Sequence, residues 1–289
     1  MTPFDIAEPE TLPEALAMLD PDDGSVRPIA GGTALMLMMK ACVFRPTRLV
    51  SLRKLAGFDA IESTPAGELR IGAMTPLADI ERSAAVRAHA PVITRTLRTL
   101  SNIRVRNVAT IGGHLAHADP HMDLPPVLIA LGAGVTAASR SGERTIAAEE
   151  LLSGYFETVL GKDELISAVM VPDQGRRRSA YLKCTTRAVH DWPALGVAVS
   201  IDGDRKSMKD PRVVISAASE KPARLLQAEG VLRDCGLDEA SLRRAGDAAA
   251  QEAQVIADAQ GSAAYKRELV RVYVVRALRA AVAETSGLH

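Results

Sequence analysis

The sequence predicts an α+β protein built in successive parts, and three observations carry that prediction. Short strand-like and helix-like segments interchange through the first 173 residues. A polar stretch with a like-charge run, "QGRRRS" at 174–179, then interrupts the pattern as a linker would. Beyond it strand patterns come first and helix patterns follow, the segregated order of a separate α+β domain.

The elements follow in order. After the strand-like "FDIAEP", Thr11 and Pro13 open a helix with Leu12, Ala15, Leu16 and Leu19 on one face, stopping near Pro21. "VRPIAGG" reads as a strand running into a glycine turn. "TALMLMMK" reads as a helix or coil whose methionines fill gaps, and "TRLVSL" as a buried strand. Residues 1–56 thus form one β-α-β-helix-β part. In the second part, 57–173, "AIES" and "ELRIGAM" make a hairpin about Pro65–Gly67, and "PLADIERSAAVRAHAPVITRTLRTL" supplies one or two helices around Pro91. A loop at 109–126 leads into a helix in "DLPPVLIALGA", strands in "GVTAAS" and "ERTIAAEEL", and a close at "ISAVMVPD". After the linker, "SAYLKCTT", "ALGVAVSID" and "PRVVISAAS" are strands and helices occupy 222–283, so 180–289 is the C-terminal domain.

Thirty-five basic residues balance 35 acidic ones, so no net charge recruits nucleic acid or an anionic membrane. The longest apolar stretches are too short or too glycine-broken for a membrane span. The N-terminus has no secretory pattern, which points to a reducing, cytoplasmic setting. Cys42, Cys184 and Cys235 fit neither a disulfide framework nor a zinc or iron–sulfur motif and read as buried small apolar residues. His89 and His190 stand outside any cluster.

Chemistry concentrates in two glycine pairs. "IAGGTAL" (29–35) and "TIGGHLA" (110–116) share a design in which a β-prone residue precedes two glycines, a polar residue and an apolar one. Glycine pairs after strands let backbone N–H groups approach an anion, so two such turns could converge on one pyrophosphate. No P-loop and no G-x-G-x-x-G is present, which argues against a nucleoside triphosphatase and a Rossmann dinucleotide domain.

"IAGGTAL" with Lys40 beyond it, then "RNVATIGGHLAHADPHMDLPPVLIALGA" and "YLKCTTRAVHDWPALGVAV", resemble in order the signatures of the FAD-binding (medium) subunits of molybdenum hydroxylases. That family includes the carbon monoxide dehydrogenase medium subunit and the flavin portion of xanthine dehydrogenase. The resemblance implies a two-part FAD-binding domain of the vanillyl-alcohol oxidase (PCMH) type, followed by an α+β domain with a three-stranded antiparallel sheet and helices. It implies FAD spanning the first two parts, with the pyrophosphate on Ala30, Gly31, Gly32, Thr33, Ala34 and Leu35 and on Thr110, Ile111, Gly112 and Gly113. His114 stands where the family usually has Asn, and Ala34 where Asp or Ser is frequent. Asp123 matches an aspartate at the ribityl chain, Lys183 a lysine near the isoalloxazine, and Trp192 a residue close to that ring; His114, in place of an amide group, and either His117 or His121 would also meet the cofactor.

The function implied is that of a flavoprotein oxidoreductase subunit with no acid or base residue of its own. It would take electrons from a small [2Fe–2S] subunit, after a large molybdopterin subunit has oxidised the substrate, and pass them to an external acceptor. A dimer of heterotrimers is the implied assembly. Two other readings stay open on the residues alone. His114, His117, His121, Asp119 and Asp123 have ligand types that a metal-dependent hydrolase would use, although Pro120, Pro125 and Pro126 argue for an irregular loop around Asp119. In a cofactor-free assembly subunit the glycine pairs would be only turns.

Overall fold

The structure, a computed structural model, describes residues 2–203, 208–233, 235–236 and 238–283. They fall into two compact units, one comprising residues up to His89 with Ser101–Ala118 and Ala133–Pro172, the other Ala90–Leu100, Asp119–Gly132 and Asp173 onward. Two segments that the linear division leaves before residue 173 therefore pack with the C-terminal unit.

The first unit opens with β1 (Asp5–Ala7), α1 (Leu12–Ala17), β2 (Val26–Ile29), α2 (Leu35–Lys40) and β3 (Arg48–Ser51). Thr11 starts α1 through a capping box in which its hydroxyl accepts the Glu14 N–H and the Glu14 carboxylate accepts N–H groups at residues 10 and 11. The three strands form a parallel sheet in the order β1-β3-β2. Next come β4 (Ile61–Ser63) and β5 (Leu69–Gly72), the expected hairpin, then α3 (Leu77–Arg82), α4 (Ala84–His89) and, in a segment that belongs to the second unit, α5 (Pro91–Thr99). The stretch around Pro91 thus holds three helices rather than one or two. Ser83 and Pro91 punctuate it, Pro91 at the first helical position of α5, where its missing N–H costs nothing.

After α6 (Ile103–Arg106), the segment expected to be loop contains α7 (Ile111–His117). Thr110 caps it by accepting the Gly113 N–H, and Ala118, at φ 53°, ends it. Only Ala118 to Asp123 is irregular before α8 (Leu124–Leu131), which carries Pro125 and Pro126 in its first turn, where proline is tolerated. β6 (Gly134–Ser139), β7 (Gly142–Ala147), α9 (Ala148–Leu151), β8 (Leu152–Gly154), β9 (Glu157–Thr158) and β10 (Leu165–Val171) complete the first unit, whose larger sheet is antiparallel in the order β4-β5-β10-β6-β7.

In the second unit β11 (Arg178–Thr185), β12 (Pro193–Ile201), β13 (Arg212–Ser216) and β14 (Ala223–Arg224) form an antiparallel sheet in that order, followed by α10 (Leu226–Leu232), α11 (Glu239–Glu252) and α12 (Ala263–Ala283). The expected three strands are joined by a fourth too short for periodicity to reveal. Every residue of β12 is buried. Leu195, Val197, Val199 and Ile201 share a core with α10, α11 and α12, while α8 also packs on β12 and β13. All eight residues of α8 are buried, as befits a helix that is apolar all round.

The 174–179 stretch is not a solvated spacer. Arg178 and Ser179 already belong to β11, and Arg177 donates to Asp210 Oδ2 at 2.9 Å and to Ser200 Oγ at 3.0 Å. The cysteines also differ from expectation. Cys42 is exposed, held at φ 58° in the turn after α2, and Cys184 and Cys235 are half-buried. His89 is used structurally, its Nε2 lying 3.1 Å and 3.0 Å from the carbonyl oxygens of Val171 and Pro172.

Candidate functional site

In the first unit the two glycine turns lie against each other. The chain leaves β2 at Ile29 and turns through Ala30 to Ala34, with Gly32 at φ 70°, before α2 begins. Gly31 abuts the backbone of Val108 and Ala109 so closely that a β-carbon there would run into the Val108 carbonyl. Gly112 presses on Ala73 in the same way, a β-carbon standing 2.6 Å from that of Ala73. Ala30 Cβ lies 3.3 Å from where a β-carbon on Gly113 would be, so glycine is the residue that lets these segments meet.

The two turns differ in what they offer. Among the described residues, the N–H groups of Gly32, Thr33, Ala34 and Leu35 donate to no protein acceptor. Those of the second turn are spoken for. Ile111 donates to Thr75 O at 3.1 Å, Gly112 to Ala73 O at 2.8 Å, Gly113 to Thr110 Oγ1 at 3.2 Å and His114 to Thr110 O at 2.8 Å. The first turn is therefore a set of open donors suited to an anion, and the second contributes a side-chain-free surface beside it. His114 and His117 sit farther along α7, the His117 ring 5.2 Å from that of Phe156 at a tilt of 50°.

In the second unit the structure brings Asp123 and Lys183 together. Lys183 Nζ donates to Asp123 Oδ2 at 2.9 Å and to Thr99 O at 2.9 Å, and both side chains are about 5% exposed (5% and 6%). Tyr181, unanticipated from the sequence, donates its hydroxyl to Asp123 Oδ1 at 2.6 Å. It reaches the same carboxylate because residues i and i+2 of β11 share a face. Burial pushes the Asp123 carboxyl above its usual range, opposed by the Lys183 charge and by the hydrogen bonds from Tyr181 and Lys183. Burial and the adjacent carboxylate push the Tyr181 phenol well up, so it remains a donor.

Trp192, the sole tryptophan, is 60% exposed and stacks one face on His121, with ring centroids 5.5 Å apart and planes 11° from parallel. His121 is itself flanked by two carboxylates, Nδ1 lying 2.9 Å from Asp119 Oδ1 and Nε2 3.3 Å from Asp258 Oδ2. The metal reading of the His/Asp cluster does not survive this arrangement. Asp123 is engaged by Lys183 and Tyr181, and His121 and Asp119 by each other. Among the described residues no group of three or more His, Cys, Asp or Glu side chains is disposed to hold a metal ion.

Comparison with known proteins bears on the same residues. Positions 2–174 match the family described as the FAD binding domain in molybdopterin dehydrogenase, and 180–281 the CO dehydrogenase flavoprotein C-terminal domain. The chain is 30% identical to the glyceraldehyde dehydrogenase medium chain of Sulfolobus acidocaldarius, over 96% of this chain and 97% of that one. It is 32% identical to the nicotine 6-hydroxylase medium subunit of Paenarthrobacter nicotinovorans, over 96% and 97%. Among solved structures, a chain of carbon monoxide dehydrogenase from Hydrogenophaga pseudoflava superposes with a TM-score of 0.93 at 29% identity, covering 97% of each chain.

Fold and matches together define a flavoprotein, with FAD as its cofactor. The open donors and glycine surfaces described above fit a group that carries a pyrophosphate. The chain belongs to the FAD-binding subunits of the molybdopterin dehydrogenases, the flavin-carrying partners within molybdenum-containing oxidoreductases. A metal-dependent hydrolase finds no support in these relatives.

Proposed function

We propose that this chain is the medium subunit of a heteromeric molybdenum hydroxylase in the cytoplasm. It receives electrons from a small [2Fe–2S] subunit, itself reduced by a large molybdopterin subunit, and relays them to an external acceptor within a dimer of heterotrimers. The observation that carries this reading is the end-to-end match to proteins named as medium chains of dehydrogenases and hydroxylases. No helix among the described residues is long and apolar enough to cross a membrane.

FAD supplies the one- and two-electron chemistry, and the protein's work is to bind, orient and tune it. Gly32, Thr33, Ala34 and Leu35 turn free N–H groups to the pyrophosphate, with Ala30 and Gly31 shaping the turn. Thr110, Ile111, Gly112 and Gly113 provide the close surface beside it, and His114 and His117 extend that surface along α7. Asp123 has an unused lone pair on each oxygen after its bonds to Tyr181 and Lys183, and accepts from hydroxyls of the ribityl chain. Lys183 lends positive charge near the isoalloxazine, and Trp192 presents a flat face to it.

Purification of the tagged chain from its native cells tests the assembly. The expected product contains this chain with two others, FAD, molybdenum and iron. A flavin-loaded protein free of molybdenum and iron, and made of this chain alone, would overturn the reading.

A further inference from the structure

The residues around His121 form a second buried network in the C-terminal unit, apart from the Asp123–Lys183 pair. Carboxylates only accept, and a neutral imidazole donates from one nitrogen alone, so an imidazole ring between two carboxylate oxygens satisfies both only when doubly protonated. Neither carboxylate is free to turn away. Asp119 is 3% exposed, and its Oδ1 also accepts the main-chain N–H of His121 at 2.9 Å. Asp258 accepts the Gln260 N–H at 2.8 Å on one oxygen, and on the other Lys266 Nζ at 2.6 Å. Lys266 is fully buried and donates again to Ala217 O at 3.0 Å. The framework is tied by main-chain bonds from Ala217 to Pro120 at 2.9 Å and from Ile256 to Ala218 at 2.8 Å.

On this base rests Trp192, with one face on the imidazole and most of its surface open. A cation against an indole face is attracted by the ring quadrupole. We propose that Asp119, His121 and Asp258 form a clamp that holds an imidazolium beneath Trp192, making His121 the positioning residue for the aromatic face that the flavin ring meets. The second half rests on the proposed placement of Trp192 beside the isoalloxazine.

The charged groups facing the imidazole come from each element around it. Asp119 is on its own loop, Asp258 and Lys266 lie before and within α12, and on the Trp192 loop Asp191 turns its carboxylate to the Ala188 N–H at 3.1 Å. Burial opposes the charge on His121, but the hydrogen bonds and charges of Asp119 and Asp258 outweigh it and hold the group above its usual range. Asp258 is held below the usual carboxylate range, since Lys266, the Gln260 N–H and His121 overcome the effect of burial.

Because Trp192 is the only tryptophan, its emission reads the clamp directly in the flavin-free full-length chain. An imidazolium quenches an indole that it touches. Emission is expected to rise with pH through a single step whose midpoint lies above the ordinary histidine value of about 6.5. His121→Gln is expected to abolish the step, and Asp258→Asn to lower its midpoint by about one pH unit or more. Circular dichroism checks that both variants fold, and either variant alone decides the matter. A flat profile in the unaltered chain, or a step that survives His121→Gln, overturns the clamp. FAD is then titrated in. Loss of the remaining Trp192 emission on binding, with a flavin spectrum altered by His121→Gln, supports the positioning role. FAD binding that leaves Trp192 emission and its pH step unchanged overturns that role and the placement of Trp192 beneath it, while the clamp stands.

Discussion

Removing the cation beside Asp123 is the sharpest perturbation available in this structure. Lys183→Met keeps the length and apolar stem of the side chain but leaves a buried carboxylate with only the Tyr181 hydroxyl as a strong partner. Breaking one side of a buried pair typically costs about 3–5 kcal/mol. An upper limit follows from the alternative open to the carboxyl, which is to take a proton. At about pH 7 that costs an Asp of ordinary pKa 3.9 about 4 kcal/mol, at 1.36 kcal/mol per unit, and at about pH 5 only about 1.5 kcal/mol. With the Tyr181 bond retained, the expected loss is about 2–4 kcal/mol near neutrality, shrinking as the pH falls.

The sign follows from linkage. In the variant the folded state raises the Asp123 pKa further above the unfolded value, so it binds more protons than the unfolded chain, and stability declines as pH rises through that range. Urea unfolding followed by Trp192 emission reports on the unit that contains the pair. Asp123→Asn in the Lys183→Met background is expected to restore much of the loss, since a neutral amide needs no cation. A Lys183→Met loss under about 1 kcal/mol at neutral pH, well below the usual cost of breaking such a pair, or one unchanged at acid pH, would refute the argument.

Other perturbations read different parts of the molecule. Gly31→Ala drives a methyl into the Val108 carbonyl and separates the two glycine turns, an overpacking cost of about 1–3 kcal/mol, with weakened FAD affinity in a flavin titration. Thr110→Ala removes the cap of α7 and is expected to lower the stability of the first unit, read by urea unfolding followed by circular dichroism, by about 1 kcal/mol. Tyr181→Phe removes a hydrogen bond to a buried charged group and should cost about 1.5–3 kcal/mol by the same measurement, and much less when Asp123 is already Asn.

Much of the architecture was legible because local chemistry and tertiary packing agree in it. The strand–turn–helix order of the first 56 residues follows from the glycine turn after "VRPI" and the capping sequence at Thr11. Helix α7 was hidden because two glycines lower helix propensity by up to about 1 kcal/mol each. The Thr110 cap and the fit of Gly112 against Ala73 overcome that deficit, and neither shows in a periodicity count. At the site, Asp123 and Lys183 could be singled out by resemblance, but their direct pairing and the part played by Tyr181 could not. Tyr181 was within reach, since it stands two residues before Lys183 on a strand. Asp258 was not, because 137 residues separate it from His121 and only the folded chain joins them.

The assignment of α8 to the C-terminal unit also bears on how the chain is made. This helix emerges from the ribosome early and apolar on every side, yet the strands it packs on, β12 and β13, begin only at Pro193 and Arg212. At about 5–20 residues per second, the interval of roughly sixty residues before β12 appears corresponds to several seconds of synthesis. Through that interval the nascent chain carries an oily helix with no sheet to receive it. A truncation at residue 174 makes the interval permanent, so the first 174 residues expressed alone should depend on chaperones or aggregate, although they coincide with a complete sequence-family match.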